Sequence, residues 1–224
     1  MRIDKMISEM GIASRREVDK AARKGSLLVN GVPQKDSSVH IDPTKDEVTF
    51  CGERVAYAPF VYLMLNKPEG YVSATDDRDC ATVLDLIPDS LRARELFPCG
   101  RLDKYTTGLM LLTNDGALAH RLLAPKSHVC KVYEYGCEAP LSQEDAKRLE
   151  RGVYIEGGYL TKPCLVERTG ERSGRITISE GKYHQIKQMF STVANRITSL
   201  RRISFGSLEL DGTLAEGAWR ELTN

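Results

Sequence analysis

The 224-residue chain carries 32 Lys and Arg against 31 Asp and Glu, so a formal charge of +1 singles out no partner by bulk electrostatics. With 41% hydrophobic and 28% charged residues it can bury a real core, which excludes intrinsic disorder. No apolar run approaches the roughly 18 residues of a membrane helix, and the start, MRIDKMISEM, lacks the apolar core of a secretory signal. A soluble cytoplasmic protein without a membrane partner is expected. Cys51, Cys80, Cys99, Cys130, Cys137 and Cys164 form no C-x-x-C pair, so they signal neither a zinc site nor a disulfide framework and read as reduced core thiols.

Ile3, Met6, Ile7 and Met10 fall at i, i+3, i+4 and i+7, the stripe of a short helix that Gly11 ends. Ser14-Arg15-Arg16-Glu17 has the form of a capping box, in which serine and glutamate reciprocally satisfy backbone donors. A second helix therefore runs to about Lys24, with Gly25 as its stop. Leu27 to Val32 then turns through Asn30-Gly31, a strong hairpin signal. Between Ala13 and Lys35 the basic residues Arg15, Arg16, Lys20, Arg23, Lys24 and Lys35 face only Glu17 and Asp19. Arg16, Lys20, Arg23 and Lys24 share one helical face and leave Val18, Ala21 and Ala22 for the interior. Such a face grips phosphates or is merely solvated; charge alone does not choose.

The pattern loosens from Glu53 to Phe60, which places a domain boundary near residue 58: a helix-helix-hairpin domain over 1–58 and a larger domain over 59–224. The larger part reads as a strand at 61–65, a Pro/Gly turn at 66–70, a buried strand at 109–113 and a helix at 117–124 stopped by Pro125. An alternating strand at 131–137, a helix from Ser142 to Gly152 and another strand at 175–179 follow. The fold class is α+β.

The segment GRLDKYTTGLMLLTNDG, starting at Gly100, sends a charged, hydroxyl-rich loop into a buried strand. Asp103 there is held at the edge of a rigid core, where desolvation and fixed neighbours tune a nucleophile or base. By pattern alone the plainer reading is that it accepts hydrogen bonds from loop amides or pairs with Arg101 or Lys104. A second segment, EGKYHQIKQMF, places Ile186, Met189, Phe190 and Val193 on one helical stripe and His184, Lys187, Gln188 and Ser191 opposite. Gly181 to Leu208 holds Lys182, Lys187, Arg196, Arg201 and Arg202 and no acidic residue, the most basic run of the chain and a pointer to a polyanion. His184 has no second ligand at metal spacing and reads as a hydrogen-bonded structural residue. Neither phosphate-binding glycine motif occurs, nor a G-x-S-x-G elbow, so nothing supports nucleotide-cofactor or serine-hydrolase chemistry.

GRLDKYTTGLMLLTNDG, LNKPEGYVSATDD, the KVYEY strand, LTKP at 160–163, EGKYHQIKQMF and GSLELDGTLAEGAWREL, in this order, resemble the RsuA family of pseudouridine synthases. MRIDKMISEMGIASRREVDKAARKGSLLVNG is similar to the small S4 RNA-binding domain that often precedes it. The resemblance implies a mixed, mainly antiparallel catalytic sheet and isomerisation of a ribosomal uridine to pseudouridine, without cofactor or metal. The family's catalytic aspartate falls on Asp103, its basic partner on Lys187 and its active-site tyrosine on Tyr133. Ile186 lands on an apolar position that packs beneath the target base. The uridine must leave its stack, a cost of a few kcal/mol that phosphate contacts offset, with Arg101, Lys104 and Lys182 as candidates. Arg15, Arg16, Lys20, Arg23 and Lys24 would add a second grip. Gln188 departs from the family pattern, which commonly has a basic residue there. LTKP and the length lean toward the enzymes of the small-subunit (16S) RNA, with an assembling small subunit as partner and a monomeric protein. The alternatives are a large-subunit (23S) uridine and a non-catalytic assembly factor that uses the basic surfaces only to bind.

Overall fold

The computed structural model describes residues 1–222. They divide into a smaller unit, Met1–Val61 with Ile87–Leu96, and a larger one, Tyr62–Leu86 with the chain from Phe97 onward. The smaller unit thus takes in a second piece of chain that a boundary at residue 58 leaves in the larger domain.

In the smaller unit, helices α1 (Ile3–Glu9) and α2 (Arg15–Arg23) precede β1 (Leu27–Val29), β2 (Val32–Pro33), β3 (Val48–Phe50) and β4 (Glu53–Val55). The capping box forms: Glu17 N–H donates to Ser14 Oγ at 3.3 Å, and Ser14 N–H donates to Glu17 Oε2 at 2.8 Å. The apolar stripes of both helices then meet the sheet, where Ile3, Met6, Ile7, Val18, Ala22, Leu27 and Val48 make one core. Asn30 and Gly31 both adopt positive φ, 50° and 78°, as a two-residue hairpin turn between β1 and β2 demands. The sheet order is β2-β1-β3-β4, antiparallel throughout. The returning segment carries the one-turn helix α3 (Asp89–Arg92), and Arg94 just beyond it donates to the carbonyls of Ala58 and Pro59.

The larger unit is built on one sheet. Its strands are β5 (Tyr62–Lys67), β6 (Phe97–Pro98), β7 (Thr107–Thr113), β8 (Lys131–Cys137), β11 (Leu165–Arg168), β12 (Ser173–Ile178), β13 (Ile197–Phe205), β14 (Leu208–Glu209) and β15 (Trp219–Glu221). Helices α4 (Gly116–Leu123), α5 (Gln143–Arg151) and α6 (Gln185–Ser191), with the small hairpin β9 (Tyr154–Ile155) and β10 (Tyr159–Leu160), lie between them in sequence. The central order is β11-β12-β8-β13-β7-β5-β15, antiparallel except for the β13–β7 pair. Leu109, Met110, Leu111 and Leu112 of β7 are all buried, the continuous apolar run of a strand covered on both faces. At the β7–β13 crossing Gly108 has φ 95°, and a Cβ there would sit 2.3 Å from the Arg202 carbonyl oxygen, so only glycine lets the two backbones approach.

Three expectations change. The strand expected at 61–65 runs on to Lys67, so Asn66 and Lys67, read as turn residues, are buried. Of the six cysteines only Cys99 and Cys137 are buried; Cys51 and Cys130 are exposed, and Cys80 and Cys164 lie between. Cys51 occupies the turn between β3 and β4 with φ 52°, a place that faces water. The basic run from Gly181 to Leu208 is not one surface, because β13 crosses it in the middle of the sheet and buries Arg202 at 1% exposure. Arg196 is paired with Glu138 at 3.0 Å.

Candidate active site

The loop from Gly100 to Thr106 enters β7, and its shape is fixed by contacts that begin far away in sequence. Ser73 Oγ donates to the Leu102 carbonyl at 2.8 Å and accepts from Leu102 N–H at 2.9 Å. Thr106 N–H closes a turn on the Asp103 carbonyl. Lys67, at the end of β5, donates its ammonium to the carbonyls of Pro68, Lys104 and Thr106 at 3.1, 3.1 and 2.8 Å. Desolvation pushes that ammonium down to about 8, while the charges of Asp103 and Glu69 partly oppose the shift. A buried cation here therefore staples the loop that carries Asp103.

Opposite the loop, α6 opens after His184, which holds a left-handed backbone with φ 47°. The first turn is bound in place by Gln185, which accepts from Lys182 N–H through Oε1 and donates to Glu180 through Nε2. Glu180 in turn accepts from Lys162 N–H and from the Tyr159 hydroxyl, so the LTKP segment and α6 are locked together. Gln188 bridges Glu156 N–H and the Tyr183 carbonyl. Where the family pattern commonly has a second basic residue, this chain therefore has a clamp on neighbouring backbone.

These elements bring Lys187 Nζ to 2.7 Å from Asp103 Oδ2. His184 Nε2 lies 3.4 Å from the other carboxylate oxygen, and its ring stacks on Tyr183 at 3.8 Å between centroids. Sequence reasoning treated His184 as structural; its place beside Asp103 was not visible because it depends on the left-handed turn before α6. Lys67 was missed as well. A lysine next to proline at the end of an apolar strand was the available signal.

Asp103 and Lys187 face a cleft of about 570 Å³, a size that suits a nucleoside. Tyr133 of β8 and Ile186 of α6 line it, both buried. Arg101, Lys104 and Lys182 line it too, with Lys182 over the Tyr159 ring at 4.2 Å. Asp103 is the sole carboxylate among the described lining residues. The other five basic residues singled out from sequence, Arg15, Arg16, Lys20, Arg23 and Lys24, are exposed along or just past α2 in the smaller unit, where Arg23 is paired with Asp19 at 2.8 Å. Such a cleft can hold a flat, polar ligand against an aromatic ring, with cations around it and the Asp103 carboxyl at its side.

Residues 61–192 match the family model described as RNA pseudouridylate synthase, and residues 1–48 match that of the S4 domain. The chain belongs to the RNA pseudouridylate synthase family. The synthase is 51% identical to an uncharacterized RNA pseudouridine synthase, YtzG, of Bacillus subtilis, over 100% of this chain and 95% of the relative. It is 38% identical to ribosomal small subunit pseudouridine synthase A of Escherichia coli, over 100% and 96% of the two chains. A solved structure described as the crystal structure of pseudouridylate synthase covers 100% of the synthase and 96% of its own chain, with 37% identity and a TM-score of 0.70.

Proposed function

We propose that this synthase converts one uridine of small-subunit ribosomal RNA to pseudouridine, with Asp103 as the carboxylate at the sugar and with no cofactor. The observation that carries the reading is the Asp103–Lys187 pair at 2.7 Å in a cleft that Tyr133 and Ile186 also line. Breaking the N-glycosidic bond puts positive character on the sugar C1′ and negative charge on the departing uracil. A carboxylate beside the ribose opposes the first, and Lys187, 2.7 Å from Asp103 Oδ2, holds that carboxylate in place. The Tyr133 ring supplies a surface on which the detached base can turn, and its hydroxyl serves to receive the proton that leaves C5. Arg101, Lys104 and Lys182 hold flanking phosphates, and the exposed face of α2 holds RNA further from the target.

The choice of small-subunit RNA rests on full-length similarity to the Escherichia coli relative named for that substrate. In this reading the protein works as a monomer in the cytoplasm on an assembling small subunit. Mapping pseudouridines in ribosomal RNA from cells with and without the protein tests it. One small-subunit pseudouridine should disappear and return on re-expression. An unchanged map contradicts the proposal, and a loss confined to large-subunit RNA moves the target there.

A further inference from the structure

Two further cations, Lys131 and Arg202, line the cleft. Arg202 is buried at 1% exposure; its Nε donates to the Leu109 carbonyl at 2.7 Å and its Nη2 meets Met110 Sδ at 3.9 Å. Lys131 donates to the Val129 carbonyl at 3.1 Å. Among the described residues neither has a carboxylate within ion-pair distance. Both lie over the Phe205 ring, at 5.6 Å for Lys131 and 5.2 Å for Arg202, so the two like charges are close neighbours. The Lys131 ammonium is held below its ordinary value by burial and by Arg202.

The sheet register explains why they share a wall with Tyr133. Arg202 stands directly across from Tyr133, and Phe205 across from Lys131, in the antiparallel β8–β13 pair. Directly opposed residues, and residues two apart on one strand, project from the same face. Lys131, Tyr133 and Arg202 all line the cleft. Buried cations are normally paired, because desolvating a charge without a partner is expensive. Two unpaired ones beside an aromatic ring are suited to an anion that arrives with the substrate.

We propose that Lys131 and Arg202 hold the uracil as it leaves the sugar, by stabilising the negative charge that develops on its carbonyl oxygens. This inference rests on the pseudouridine synthase reading and adds two residues that touch the reacting base. The C1′–N1 bond breaks with its electron pair going to uracil, while C1′ becomes positive next to Asp103. The base turns, the pair on C5 forms the C5–C1′ bond, C5 loses its proton and N1 gains one, so no oxidant or reductant is needed. Uracil is favoured over an RNA phosphate because phosphates remain hydrated and are met by exposed cations such as Arg101 and Lys182, whereas Arg202 is buried and Lys131 half-buried at the base platform.

The test is Lys131→Met in the full chain, with a small-subunit ribosomal RNA transcript as substrate. The single-turnover rate should fall by about 10²-fold, the size of losing one preorganised electrostatic partner. The Kd for the transcript and its salt dependence should stay unchanged, and Lys131→Arg should recover most of the rate. A full rate in Lys131→Met overturns the inference. So does a weaker Kd whose salt slope drops by about 0.7 to 0.9, which marks a phosphate contact. If Lys131→Met lowers the Tm, Lys131→Gln, which keeps a donor for the Val129 carbonyl, carries the same expectations. Asp103→Asn is run alongside: if it stays active, the cleft is not where the reaction occurs and this inference falls with that reading. An active Lys131→Met beside an inactive Asp103→Asn refutes this inference alone.

Discussion

Lys187 Nζ meets Asp103 Oδ2 at 2.7 Å across a separation of 84 residues, which joins the loop before β7 to the first turn of α6. The pair is half-shielded, with side-chain exposures of 34% and 26%, so solvent weakens the attraction without abolishing it. Its value lies in geometry. The ammonium fixes one carboxylate oxygen and leaves the other facing His184 and the cleft.

Lys187→Met removes the counter-charge while keeping the length of the side chain. Single-turnover pseudouridine formation should drop by about 10²-fold or more, with RNA affinity changed far less. Lys187→Arg should retain part of the rate. Equal rates in Lys187→Met and wild type would show that Asp103 does not depend on this partner.

Lys67 makes a prediction about pH. Its ammonium is pushed down to about 8 from 10.5 by burial, so between those values the folded protein binds fewer protons at this position than the unfolded chain. Stability contributed by the group therefore rises with pH across that window. Urea denaturation of wild type and Lys67→Met should show the difference shifting toward wild type by up to about 3 kcal/mol on going from below pH 8 to 10.5. A pH-independent difference would mean that the buried ammonium keeps its ordinary proton affinity.

The exposed face of α2 should act on docking rather than on chemistry. Replacing Arg16, Lys20 and Lys24 with alanine removes three cations without touching the buried Val18, Ala21 and Ala22. RNA binding should weaken, and the slope of log K against log salt should flatten by about 2 to 3. Turnover at saturating RNA should hold. Its collapse would place this face in catalysis. Arg23, already paired with Asp19, should matter less than its neighbours.

What could be read from sequence and what could not follows from the range of the interactions. The capping box at Ser14 and Glu17, the Asn30-Gly31 turn and the apolar run of β7 are local, and each formed where its pattern lay. Tyr133, and the roles given to Asp103 and Lys187, could be marked only because whole segments resembled a family; nothing in the spacing of Asp103 and Lys187 predicts their contact. Lys67 looked like a turn residue because its acceptors, the carbonyls of Lys104 and Thr106, are 37 and 39 residues away. Arg202 stood in the sequence only as one member of a basic run, because its burial follows from β13 lying between β7 and β8, a long-range pairing. The Ile87–Leu96 segment joins the smaller unit through Arg94 and backbone carbonyls, contacts that leave no trace in composition.

The proposed chemistry depends most on the Asp103 carboxylate. Asp103→Asn nearly preserves size and shape, so it should leave folding and the Kd for small-subunit ribosomal RNA intact. The decisive measurement is pseudouridine formed by this variant at saturating RNA: none detectable above background is predicted, and formation at a rate near that of wild type would show that Asp103 is not the reacting carboxylate.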